Sequence, residues 1–140
     1  DLHLSLRRQR QMCIRDSLQL GDIMAITRIE TSERLSQAVV HNGIAYIAGQ
    51  VARDKPGASA AEQTQNILDR TDALLIKAGT DKSRLLTAQV WISDIRYFDE
   101  MNQVWNAWLA PGEAPTRACV ESRLAATHYF VEISVTAAVD

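Results

Sequence analysis

The apolar residues of this chain keep two different spacings in turn, and the switches between them mark out the elements. Ile26 and Ile29 bracket a short strand-like piece, and residues 38–41 and 44–51 read as two strands about the dipeptide Asn42-Gly43. Asn-Gly between apolar runs is a strong hairpin signal, since both residues tolerate the positive φ of a type I′ turn. Ser59 followed by Glu62 matches a capping box, after which Ile67, Leu68, Thr71, Leu74, Leu75 and Ala78 recur at helical spacing up to Gly79. The run LLTAQVWI at 85–92 is short, apolar and β-favouring, so it is expected inside a sheet. Met101, Val104, Trp105, Trp108 and Leu109 give a second helical stripe, closed by Pro111 and Gly112 because proline cannot continue a helix. Residues 116–122 and 130–139 read as closing strands, the second alternating through Val131, Glu132, Ile133, Ser134 and Val135.

This β-β-β-α-β-α-β-β order predicts an α+β fold, with two helices on one face of a single mixed sheet. The β-branched and aromatic strands leave the other face in need of cover, so self-association is expected. A chain of 140 residues, 46% hydrophobic and 23% charged, fits one globular domain. The loop at 52–58, ARDKPGA, is too short to join two domains. The first 23 residues break the pattern: Arg7, Arg8, Arg10 and Arg15 crowd together with no apolar period behind them. A secretory signal needs an apolar stretch of about 7–15 residues there, and none is present. The stretch LRRQRQMCIRDS also resembles translated sequencing-adapter read-through. The expectation is a non-native or disordered extension over 1–23, a native start at Met24, and one domain over 24–140.

The net charge is −2 and no basic block occurs, which argues against a nucleic-acid partner. No apolar run approaches the roughly 20 residues that span a bilayer, so no membrane partner is expected. Cys13 and Cys119 share no CxxC spacing, which fits a reducing, cytoplasmic setting. His41 and His128 lack a metal-ligand pattern, and no metal is expected. Cys119, with no histidine at a catalytic spacing, reads as a small core residue and not as a nucleophile. Period-2 alternation puts Arg117, Cys119 and Glu121 on one side of their strand, and Glu132 and Ser134 opposite Val131 and Ile133. If these two strands pair about a connection centred near Ala125 and Ala126, then Arg117, Cys119 and Glu132 share a face. An arginine beside a glutamate has two readings there: a buried salt bridge, the commoner fate, or a site for a charged ligand.

The segment APTRACVESRLAATHYFVEISVTAAV, residues 114–139, resembles the C-terminal signature of the Rid family, the YjgF/YoaB-like reactive-intermediate deaminases. In that signature a proline, a short residue, an arginine and a cysteine-valine pair precede a strand reading V-E-I. VVHNGIAYIAGQ, EQTQNILDRTDALL and FDEMNQVWNAWLAPGEAP agree in order, so the resemblance covers essentially residues 24–140. RIETSERLSQAVVHN and the MNxxWxAW helix are most similar to the YoaB-like branch.

The resemblance implies a chorismate-mutase-like sandwich, one mixed six-stranded sheet with two helices on one face, assembled as a homotrimer with clefts between subunits. It implies hydrolysis of 2-enamino or 2-imino acids to 2-keto acids and ammonia, as in a 2-iminobutanoate/2-iminopropanoate-type deaminase, with no metal or organic cofactor. Carried over by residue, Arg117 matches the arginine that grips the substrate carboxylate and Glu132 the glutamate that positions the attacking water. Cys119 matches a pocket-wall cysteine, Asn102 the helix asparagine, and Gly49 the strand glycine that lets substrate approach the backbone. Leu35 stands where the archetypal branch has a tyrosine, so that aromatic contact and hydroxyl are missing. Leu124-Ala125 replaces the usual leucine-proline after the arginine strand. The competing expectation is a non-catalytic trimeric binding module for small carboxylates or a protein partner. A ribonuclease fits least, given the acidic balance and the absence of a histidine pair.

Overall fold

The computed structural model describes residues 25–140; the extension expected over residues 1–23 lies outside the described residues. The elements follow the expected order: β1 (Thr27–Thr31), β2 (Ser36–His41), β3 (Ile44–Val51), α1 (Ala60–Lys77), β4 (Leu85–Ile92), α2 (Phe98–Trp108), β5 (Thr116–Glu121) and β6 (Val131–Ala138). Short 3₁₀ turns, Lys82–Arg84 and Ile95–Tyr97, lead into β4 and α2. The strands form one six-stranded sheet in the order β1-β2-β3-β6-β4-β5, and both helices pack against it from the same side.

Local chemistry explains the turns. Asn42 and Gly43 take φ of 53° and 73°, the conformation a type I′ hairpin demands, and His41 pairs with Ile44 across it. Ser59 Oγ accepts the Glu62 amide at 3.1 Å and so satisfies one of the free N–H groups at the start of α1. At its other end Gly79 adopts φ 87°, which ends the helix at little steric cost.

β6 lies between β3 and β4 and is antiparallel to both, so β3 and β4 run parallel to each other with α1 as their crossover. β5 pairs in parallel with β4 through the α2 crossover. The pairing of β5 with β6 considered from sequence therefore does not form, because β4 separates them. Burial explains this arrangement. In β6, Val131, Ile133, Val135 and Ala137 are fully buried, which suits a central slot, whereas every residue of β5 is exposed or half-buried, which suits an edge. Slipping β6 by one residue would expose those aliphatic side chains, at roughly 1.5–3 kcal/mol for each large one, so the register is strongly specified.

On the helix side these residues join Ile67, Leu68, Leu75, Val90, Ile92, Met101 and Trp105 in one core. The opposite face carries the alternate residues of each strand, among them Val39, Tyr46, Gln89, Trp91, Glu132, Ser134 and Thr136, all exposed or half-buried. Tyr46 keeps 48% of its surface exposed on it. β3 carries a bulge between Ile47 and Gln50, where Ala48 and Gly49 together oppose Ser134, and Ser134 Oγ donates to the Ile47 carbonyl at 2.9 Å.

Candidate functional site

Arg117 leaves β5 on the helix side, in register with the buried Ala88 of β4. It enters a slot walled by one face of α2. Its Nη1 donates to Asn102 Oδ1 at 2.7 Å and approaches Met101 Sδ at 4.0 Å. The guanidinium carbon lies 5.5 Å from the Trp105 ring centre and 6.0 Å from that of Phe98. Phe98, Met101, Asn102 and Trp105 recur at the i, i+3, i+4 and i+7 spacing that places them on one helix face. Among the described residues the ion pairs are Arg70–Asp54, Lys77–Glu30, Arg84–Asp140 and Arg96–Asp94, so Arg117 is half-buried without a carboxylate partner. Asn102 orients the fork with a neutral oxygen and leaves its charge uncompensated.

Cys119 follows two residues along the same side, half-buried and packed against the core. Burial raises its thiol above the ordinary cysteine value, and the nearby Arg117 charge only partly offsets this. A thiol held protonated is a weak nucleophile, which agrees with its reading as a wall residue. Glu121, third on that side, accepts the Ile95 amide at 2.9 Å and so holds the turn that opens α2.

Glu132 lies elsewhere. Its strand partner is Trp91, and it projects from the face opposite the helices. Its carboxylate rests on the bulged backbone of β3: a Cβ built on Gly49 would fall 2.8 Å from Glu132 Oε2. The bare glycine therefore provides the room in which that carboxylate sits. Burial raises the Glu132 carboxyl above the ordinary glutamate value.

The five residues singled out from sequence thus separate into two groups. Arg117, Asn102 and Cys119 lie together on the helix side at the β5 edge, and Gly49 and Glu132 lie together on the open face. The single shared face considered from sequence is overturned, because β4 intervenes and the alternation places the two groups on opposite sides. The arginine-glutamate salt bridge does not form within the chain for the same reason. In strand spacing alone β5 and β6 are roughly 10 Å apart.

Two contributors escaped the sequence reading. Phe98 walls the Arg117 slot, and its helical spacing to Asn102 and Trp105 was the available signal. Gln63 is fully buried in α1; its Nε2 donates to the Ala58 and His128 carbonyls at 3.1 and 2.9 Å, and its Oε1 accepts the Phe130 amide at 2.8 Å. It thereby ties the connection entering β6, two residues before Glu132. No local motif marks such a residue.

Residues 25–139 match the family model described as Endoribonuclease L-PSP. The chain is 46% identical over 115 residues to a RutC family protein of Haemophilus ducreyi, covering 82% of this chain and 97% of that one. It is 40% identical over 116 residues to the RutC family protein YoaB of Escherichia coli, covering 83% and 100%. The crystal structure of NMB1025, a YjgF-family protein of Neisseria meningitidis, superposes with a TM-score of 0.81 at 41% identity, over 84% of this chain and 98% of that one. The chain therefore belongs to the Endoribonuclease L-PSP family, the group whose members carry the names YjgF, RutC and YoaB.

Proposed function

We propose that this protein hydrolyses 2-imino and 2-enamino acids to 2-keto acids and ammonia, as a 2-iminobutanoate/2-iminopropanoate-type deaminase. Its working site joins the Arg117–Asn102–Cys119 group of one copy to the Gly49–Glu132 group of another in a homotrimer. The observation that carries this reading is the half-buried guanidinium of Arg117, aligned by Asn102 and flanked by two rings, with no carboxylate partner among the described residues. A planar fork of this kind pairs with a carboxylate through two parallel hydrogen bonds. The open sheet face, with Tyr46 and Trp91 among polar neighbours, gives a second copy a surface to cover.

An iminium carbon is already electrophilic, so the site has to hold the carboxylate and deliver one oriented water. Glu132 accepts a proton from that water as its oxygen bonds to the imine carbon, giving a tetrahedral aminoalcohol. The same proton passes to nitrogen; the C–N bond then breaks, ammonia leaves, and the hydroxyl proton is lost as the ketone forms. A carboxylate made more basic by burial serves better as proton acceptor. The binding-module alternative keeps Arg117 as an anion clamp and needs no base; the exposed Leu35, with no hydroxyl to offer, is the observation in its favour.

The test is the decay of an imino acid generated in situ by an amino-acid oxidase, with semicarbazide trapping what survives. The reading predicts that the protein lowers semicarbazone yield and speeds ammonia release. An unchanged yield at micromolar protein supports the binding module instead.

A further inference from the structure

The β3 bulge on which Glu132 rests is held from the other side of the sheet. β2 and β3 pair from His41 and Ile44 as far as Ala38 and Ile47, and the ladder stops there, so the segment carrying Gly49 lies beyond it. A bulge takes its extra residue out of the ladder, and its carbonyls need other partners. Two side chains supply them. On the open face Ser134 Oγ donates to the Ile47 carbonyl at 2.9 Å. On the helix side Gln50, only 2% exposed, donates from Nε2 to the Ala48 carbonyl at 2.9 Å and to Gln37 Oε1 at 2.9 Å.

Each hydrogen of the Gln50 amide thus has one acceptor, the bulge carbonyl and a side chain of β2. The Ala48 carbonyl belongs to the peptide group that continues into the Gly49 nitrogen. That group is planar, so fixing its oxygen fixes the plane on which Gly49 enters the bulge. Gly49 in turn is the floor beneath Glu132, whose Oε2 would lie 2.8 Å from a Cβ built there. Gln50 itself points away from Glu132: its register partner is the buried Ile133, whereas Glu132 pairs with Val51. Its influence on the carboxylate passes through one peptide plane and one glycine.

We propose that Gln50 is a positioning residue: anchored by Gln37 on β2, it holds the Ala48–Gly49 peptide from the helix side and thereby sets where the Glu132 carboxylate rests. This deepens the hydrolase reading and rests on it for what Glu132 does, though not for where Glu132 sits. Glutamine meets both acceptors through its length and its two amide hydrogens. Methionine keeps the length without a donor.

Position is measured first and without catalysis, by NMR of the full chain at neutral pH. The Gly49 amide and the Glu132 carboxyl carbon are followed, the latter assigned from Glu132→Gln. Gln50→Met is expected to move both, although the substitution lies on the opposite face. Gln37→Leu, at a half-buried position, should move both in the same direction, and Gln37→Glu, which keeps an acceptor oxygen, should restore what Gln37→Leu loses. If Gln50→Met does not fold, Gln37→Leu decides alone. A Glu132 carboxyl carbon unmoved in the folded variants overturns the proposal, even where the Gly49 amide shifts.

Imine hydrolysis forms the second arm. Misplacing a reacting group by about 1 Å costs about a hundredfold, so Gln50→Met should lower kcat by about tenfold to a hundredfold while KM, set at Arg117, stays at the parent value. A residue that only supports the fold would leave kcat per folded molecule unchanged, and that result overturns the proposal. A parent without imine hydrolysis, whose Glu132 resonance still follows Gln50 and Gln37, keeps this inference and overturns the hydrolase reading. An active parent, with kcat and the Glu132 resonance unmoved in both variants, keeps the hydrolase reading and overturns this one.

Discussion

Replacing Arg117 with alanine separates a ligand-holding role from a structural one, because among the described residues this arginine has no ion pair whose loss would unsettle the fold. The cost to the fold comes from its slot. Asn102 Oδ1 loses a donor but is half-buried and can turn to water, and two ring contacts disappear, each worth about 0.5–1 kcal/mol. A loss of about 1–2 kcal/mol is expected, within the usual range for single substitutions.

The cost to activity is larger. Two charge-assisted hydrogen bonds to a carboxylate contribute roughly 1.5–3 kcal/mol each, and partial exposure of the slot argues for the lower half of that range. About 3–4 kcal/mol lost from the transition state lowers kcat/KM by about two to three orders of magnitude. Arg117→Lys should recover only part, since an ammonium is a point charge without the planar fork. Cys119→Ala should keep most activity. The assay is imine decay with semicarbazide trapping, beside urea unfolding and light scattering for each variant. An Arg117→Ala protein that is folded, assembled and as active as its parent would refute the carboxylate clamp.

Three further outcomes follow from the same geometry. Gly49→Ala places a methyl 2.8 Å from Glu132 Oε2, the movable end of a side chain, so the melting temperature should change by only a few degrees while kcat falls at least tenfold; a fully active variant contradicts a fixed Glu132 position. Burial lifts the folded Glu132 carboxyl above its ordinary 4.5, so the native state holds that proton more tightly than the unfolded chain does. The ionised group then costs stability at neutral pH and ceases to do so as the pH falls below 4.5. Accordingly Glu132→Gln should raise the melting temperature at pH 7 with a gain that fades in acid, and the acid limb of kcat in the parent should lie above 4.5; a limb at or below that value argues against Glu132 as the base. Gln63→Leu leaves the Ala58 carbonyl and the Phe130 amide without a partner while the His128 carbonyl keeps the Gly57 amide, at about 1–3 kcal/mol for a buried unsatisfied group, so urea unfolding should show a loss of about 2–3 kcal/mol; an unchanged midpoint would mean that the loop rearranges freely.

The fold was legible because its signals are local. Asn42-Gly43 dictates a hairpin by its own φ preference, Ser59 caps α1 with its own hydroxyl, and the strict alternation of Val131 to Val135 assigns one face of β6 to the core. Strand neighbours are not local. Nothing within residues 116–138 says that β4 lies between β5 and β6; that follows from which strand buries more apolar surface and from two helical crossovers. The register through β4 is what puts Arg117 and Glu132 on opposite faces, the first beside Ala88 and the second beside Trp91. The residue types of the site were readable, with Arg117 aligned by Asn102 and Glu132 seated on Gly49, but not their division into two groups. Phe98 could have been found from its spacing on α2. Gln63, acting across more than sixty residues, could not.

The division into two groups has a direct test in mixed chains. Arg117→Ala and Glu132→Gln proteins, each inactive alone, are unfolded together, refolded at equal amounts and assayed for imine hydrolysis. If Arg117 of one copy serves Glu132 of the next around a closed ring, random assembly restores about a quarter of the sites, and activity returns to about that fraction of the parent. If both residues serve the same site from one chain, every mixed assembly stays as inactive as its components, and the two-copy account is wrong.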